Sequence, residues 1–98
     1  NYSMPRFTFD PNKDASNLAK HGLSLSDAPL VFNARNKLTL ESPQGGEDRK
    51  MDVALVELAG VVLVLVYVLR EPDEVRAISL RRASKQERKL YAHWQDPR

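Results

Sequence analysis

The hydrophobic pattern predicts an α+β domain built on an antiparallel sheet, on three observations. Apolar residues recur at helical spacing near the N-terminus, around Ala15, Leu18 and Ala19. Four stretches with strand character then follow one another between Lys37 and Leu80, separated by short turns. Finally, Ser84-x-x-Glu87 has the form of a capping box that opens a last helix. Adjacent strands with short connections imply a meander, and helices segregated from the strands imply α+β architecture. The expected order is β-α-α-β-β-β-β-α: a sheet flanked by two N-terminal helices and one C-terminal helix.

Phe7 and Phe9 alternate with Arg6 and Thr8, the period of a half-buried strand. Asp10-Pro11 then reads as a helix start, with Asp as N-cap and Pro at the first helical position. Gly22 suits the left-handed position that closes a helix. Ser24 with Asp27 resembles a second capping box, and Ser26 is a rival cap. Pro29 favours a start near Ser26, since proline is tolerated only in the first turn. Val31 and Phe32 are expected to pack this second helix inward.

Leu38 and Leu40 alternate with Lys37, Thr39 and Glu41, again a strand period. Residues 42–46, SPQGG, form a loop by composition. Arg49 to Leu58 and Val61 to Leu69 are two apolar runs around Ala59-Gly60, the pattern of a hairpin. Glu71-Pro72-Asp73-Glu74 is a second turn, and Val75 to Leu80 a further strand. The last helix is expected to run to about Trp94, with Leu90 and Trp94 on one face and Glu87 and Tyr91 on an adjacent one.

Ninety-eight residues make one domain, expected from Met4 to Arg98; the tripeptide before Met4 is read as a remnant and given no function. The 42% hydrophobic content supports a folded chain. With no cysteine there is neither a disulfide framework nor a thiolate metal site, which fits a reducing cytoplasm. The start of the chain lacks the apolar core of a signal peptide. Val61 to Leu69 falls well short of the roughly 20 apolar residues a membrane helix needs, so no membrane is expected. The formal net charge of +2 says little, but its distribution says more. Residues 70–98 carry eight basic groups against five acidic ones. Such an end can face RNA, DNA or an acidic protein, or can be an ordinary solvated surface.

Four blocks carry a family resemblance. The first is Phe7-x-Phe9-Asp10-x-x-Lys13-x-x-x-Asn17-x-x-Lys20-His21-Gly22-Leu23-Ser24, followed by Ala28-x-x-Val31-Phe32. The second is Gly46-Glu47-Asp48-Arg49. The third is Val66-Tyr67-x-x-Arg70. The fourth is Arg76-Ala77-Ile78-Ser79-Leu80-Arg81-Arg82-Ala83, then Glu87-Arg88-x-x-Tyr91. In this order they resemble the BrnT family, small ribonucleases of bacterial type II toxin–antitoxin pairs. Phe9 stands where the family usually has tryptophan, and Leu80 where it usually has a small residue. The resemblance implies a RelE-like fold, RNA cleavage that slows translation and growth, and a cognate DNA-binding antitoxin (BrnA-like) that neutralises the toxin. Operator DNA would be reached indirectly, through that antitoxin. An apolar groove for an antitoxin helix is also expected.

Metal-free RNA cleavage needs a group that takes the 2′-hydroxyl proton, charge to stabilise the phosphorane, and a donor for the leaving 5′ oxygen. Histidine titrates near neutrality, which suits it to proton transfer. Arginine stays charged and grips two phosphate oxygens with its planar fork. His21 is the acid/base candidate; its alternative is a helix-terminal histidine that caps carbonyls and favours the dipole. Arg81 is the leading phosphate ligand, with a salt bridge to Glu71, Asp73 or Glu87 as its alternative. Arg70 is a second, with a salt bridge to a nearby carboxylate as its alternative, and the two fall at opposite ends of a predicted hairpin.

Glu47 and Arg49 are two apart, so they share one strand face, as a catalytic pair or as an exposed ion pair. Lys20 and Arg88 are candidate RNA-phosphate or antitoxin contacts, and Arg82 is a further RNA-binding candidate. Tyr91 can stack on a base, or sit at the edge of the core. Glu87 is explained by its capping box. No carboxylates stand at metal-ligand spacing beside histidine and no glycine loop fits nucleotide binding, so no metal or cofactor is expected. Two functions follow: a metal-independent endoribonuclease toxin, or a non-catalytic antitoxin-binding module that acts as a transcriptional corepressor.

Overall fold

The computed structural model describes residues 4–42, 49–56 and 59–98. In chain order the elements are β1 (Arg6–Thr8), α1 (Pro11–His21), a 3₁₀ turn (Leu25–Asp27), α2 (Ala28–Phe32), β2 (Lys37–Glu41), β3 (Arg49–Val56), β4 (Val61–Arg70), β5 (Glu74–Arg82) and α3 (Lys85–Gln95). No described helix is long and apolar enough to cross a membrane.

The α+β class holds, but the sheet is mixed rather than wholly antiparallel. β2 to β5 form the expected meander, and the five strands lie in the order β1-β5-β4-β3-β2 with β1 parallel to β5. Chain geometry explains the difference. α1 and α2 carry the chain across one face of the sheet from β1 to the far edge, where β2 begins. The meander then walks back and leaves β5 beside β1, with Phe7 paired to Val75.

Local chemistry sets the helix ends. Asp10 accepts the Asn12 N–H at 2.8 Å, Pro11 opens α1, and Gly22 closes it at φ 68°. The second helix is shorter than its sequence pattern suggests. Ser24 caps the 3₁₀ turn by accepting from the Ser26 N–H, and α2 then runs for only five residues with Pro29 in its first turn. Ser84 and Glu87 form the complete reciprocal capping box of α3.

The sheet has two covered faces. One packs Leu63, Leu65, Val75, Ala77 and Leu80 under Leu25, Ala28 and Val31. The other packs Val53 and Val64 under Ala83 and Tyr91. α1 departs from its apolar period: Ala15, Leu18 and Ala19 are exposed and the polar Asn17 is its buried residue. The Asn17 amide donates to the carbonyls of Leu23 (2.8 Å) and Leu80 (2.7 Å) and accepts the Leu80 N–H (3.0 Å). It thus stands in for a neighbouring strand at a part of β5 that β1 does not reach. On α3, likewise, Tyr91 packs inward while Leu90 and Trp94 remain largely exposed.

Candidate functional site

The register of the meander brings several arginines to one face. Antiparallel partners share a face, so Arg49, Val68 and Arg76 form one row across β3, β4 and β5. Met51, Val66 and Ser79 form the next row, and Val53, Val64 and Arg81 the third. Arg49 and Arg81 line a common hollow of about 460 Å³ with Ser79 and Glu87. Arg49 Nε is buried there without a hydrogen-bond partner among the described residues. A buried, charged donor left unpaired is costly, so an acceptor entering the hollow would be bound strongly.

Arg81 is held firmly. Its Nη1 donates to Glu87 Oε1 at 2.7 Å and its Nη2 to Glu87 Oε2 at 2.9 Å, a bidentate pair. Nη1 also reaches the Arg82 carbonyl at 3.3 Å. The bond to Glu87 pushes the Arg81 pKa further up. In return the Arg81 bond holds the Glu87 carboxyl at about 2, helped by the Ser84 N–H and opposed by burial. Arginine has five N–H donors, so the Nε–H and one Nη2 hydrogen stay available for a phosphate.

A second hollow, of about 210 Å³, lies on the α1 side of β5. Lys13, Ser16, Lys20 and His21 line it. The two hollows have Ile78 and Ser79 in common. Val66 pairs with Ser79 and Tyr67 with Ala77, so Ile78 is an extra, bulged residue in β5. The structure therefore brings His21 and Lys20 to one side of the bulge, and Arg49 and Arg81 to the other.

The remaining candidates lie elsewhere. Glu47 is outside the described residues. Arg70 pairs with Glu74, at the end of the β4–β5 pair away from Arg81. Arg81 stands opposite Val64, six residues down β4 from Arg70, or about 20 Å of strand. These two arginines cannot grip one phosphate. Arg82 pairs with Leu63 and so points to the opposite face of the sheet from Arg81. Arg88 donates to the Ala83 carbonyl at 2.9 Å and is otherwise exposed. Tyr91 is buried; its hydroxyl donates to the Asn36 carbonyl at 2.8 Å and accepts the Leu55 N–H at 3.2 Å. Its ring is not open to a base.

Three features escaped the sequence reading. Ser79 lies between the two groups of cations. Lys13 joins Lys20 because residues seven apart face the same way on a helix, a signal the sequence did contain. The third is a buried polar cluster on the α1–α2 face. Asp52, fully buried, accepts from Lys37 Nζ (2.7 Å), Thr39 Oγ1 (2.7 Å) and the Tyr67 hydroxyl (3.0 Å). Lys37 Nζ also lies 3.8 Å from the centroid of the Phe32 ring. Burial, and then the Asp52 charge, push the Tyr67 pKa well above that of an ordinary phenol. An aspartate inside the apolar run Met51 to Val56 was the visible hint. A third hollow, of about 380 Å³, lies between α2 and α3 and includes Leu30, Arg35, Leu55 and Tyr91.

Residues 9–87 match the family model described as "Ribonuclease toxin, BrnT, of type II toxin-antitoxin system". Among solved structures the fold is similar to the crystal structure of the Brucella abortus ribonuclease toxin, BrnT. The TM-score is 0.66 and the identity 22%, over 85% of this chain and 100% of that one. No curated protein matches the chain.

Proposed function

The chain belongs to the BrnT family of type II ribonuclease toxins, and from that premise we propose that it is a metal-independent endoribonuclease that inhibits translation and is neutralised by a cognate DNA-binding antitoxin. The observation that carries the reading is the Arg49–Arg81 hollow, where buried Arg49 Nε has no partner among the described residues, adjoining the hollow that holds His21.

In this reading the 2′-hydroxyl attacks phosphorus, the bond to the 5′ oxygen breaks, and a cyclic phosphate and a 5′-hydroxyl result. Arg49 and Arg81 stabilise the charge on the phosphorane, with Glu87 holding the Arg81 fork in place. His21 transfers one of the two protons, and Lys20 binds backbone phosphate. For the second proton the candidate is Glu47, which lies outside the described residues. Charge aimed in advance at the transition state is worth roughly 3–4 kcal/mol per donor removed.

A second reading has a specific observation in its favour: Glu87 already occupies two donors of the Arg81 fork. A module of this kind would bind its antitoxin and tighten operator binding without cutting RNA.

The deciding experiment incubates the purified chain, freed of antitoxin, with total RNA in EDTA, beside the Arg81→Ala and His21→Ala variants. The expected result is degradation that survives EDTA and falls about 10²–10³-fold in Arg81→Ala. No degradation by the folded wild-type chain would favour the corepressor reading.

A further inference from the structure

β1 covers β5 only from Glu74 to Arg76. Beyond Arg76 no described strand pairs with this edge of β5, opposite β4, and Asn17 closes the edge at Leu80. The bulged Ile78 and its neighbour Ser79 occupy the open stretch and belong to both hollows. The Ser79 hydroxyl has no hydrogen-bond partner among the described residues. Cations flank it on both sides, Lys13 and Lys20 toward α1, Arg49 and Arg81 toward α3.

We propose that this open stretch of β5 is a saddle over which a single strand of RNA crosses the sheet edge. The scissile phosphate rests on the Ser79 hydroxyl, the backbone on one side runs past Arg49 and Arg81, and the backbone on the other side runs along Lys13 and Lys20, each lysine meeting a phosphate.

Three arguments carry this path. Lys13 and Lys20 are two helical turns apart, about 10 Å along the axis, a reach that suits a backbone rather than a lone ion. Ile78 and Ser79 line both the hollow of His21 and the hollow of the two arginines, and of the two only Ser79 offers a hydroxyl to a phosphate. The strand must also turn over a single β-strand edge. A double helix is a stiff rod that bends over about 50 nm in the case of DNA, so only a flexible single strand can follow the turn. The proposal rests on the reading of the ligand as RNA and adds to it the strandedness of the substrate and the phosphate contacts of the two lysines.

The test uses a 2′-O-methyl oligonucleotide, which binds but cannot be cleaved, in a series of salt concentrations read by fluorescence anisotropy. Each phosphate contact adds about 0.7 to the salt slope for a single strand. The double variant Lys13→Ala/Lys20→Ala is expected to weaken low-salt binding about tenfold and to flatten the slope by about 1.4. Arg35→Ala, in the hollow between α2 and α3, is expected to leave both unchanged. A duplex of the same sequence should bind more weakly than the single strand. On a cleavable strand, Ser79→Ala should lower kcat about tenfold with KM nearly constant, and Ser79→Thr should restore it.

An unchanged slope in the lysine variant, or a duplex bound as tightly as the single strand, overturns the path. Lysine-dependent binding without cleavage by the wild type would retain the path and sink the ribonuclease reading. Cleavage that ignores both lysines and Ser79 would do the reverse.

Discussion

Glu87 makes two kinds of contact with one carboxylate. It accepts the Ser84 N–H at 2.8 Å as part of the α3 cap and both Nη groups of Arg81. Its pKa consequently falls from 4.5 to about 2. A lowered native pKa means that the unfolded chain binds the extra proton first. The pair therefore contributes stability above about pH 4.5 and loses it as pH falls toward 2. Glu87→Gln is expected to cost about 2 kcal/mol at pH 7, the worth of a hydrogen bond to a charged group. Urea unfolding at pH 7 and near pH 2 should show the gap between wild type and variant closing in acid. A gap that stays constant would mean the carboxylate charge contributes nothing.

At the scale of the element, α1 is held by its ends, by the Asp14 carboxylate, which accepts the Leu25 N–H at 2.7 Å, and by the Asn17 amide. Asn17 makes three hydrogen bonds to backbone groups, whereas the apolar residues of the helix face outward. Asn17→Leu should therefore cost about 2–3 kcal/mol despite adding hydrophobic surface, because the Leu23 and Leu80 groups lose their partners. Gly22→Ala is a contrasting case. A methyl group there meets nothing within 4 Å, and the cost is confined to the backbone at φ +68°, about 1–2 kcal/mol. Denaturant midpoints of the two variants should fall in that order. A larger loss in Gly22→Ala would place the docking of α1 at its end rather than at Asn17.

Across the whole molecule, Asp52 ties the edge strand β2 to the centre of the sheet. Lys37 and Thr39 come from β2 and Tyr67 from β4, and all three converge on one buried carboxylate. Phe32 of α2 lies over Lys37 and meets Tyr67 edge-on at 5.3 Å, so a helix layer and three strands meet here. Asp52→Ala leaves the Lys37 ammonium without its partner and should cost about 3–5 kcal/mol. Tyr67→Phe removes one donor and should cost about 1 kcal/mol. Global unfolding measurements would show whether the cluster carries that weight. Near-equal losses would mean that the Lys37–Asp52 pair is replaceable by solvent.

Asp10, Pro11, Gly22, Ser84 and Glu87 were legible in the sequence because a helix cap involves residues only a few positions apart. The apolar run of β4 and the turns around it were legible for the same reason, since strand period and turn chemistry are local. Arg49, Arg81 and His21 could be named from the blocks they share with a family. Their separation by the β5 bulge could not, because a bulge depends on how β4 and β5 pair. The parallel seat of β1 beside β5, the burial of Asn17 against Leu80, and the meeting of Lys37, Thr39 and Tyr67 at Asp52 were decided only by tertiary structure. Each joins residues far apart in the chain, and each is set by which surfaces must be buried together rather than by any local preference.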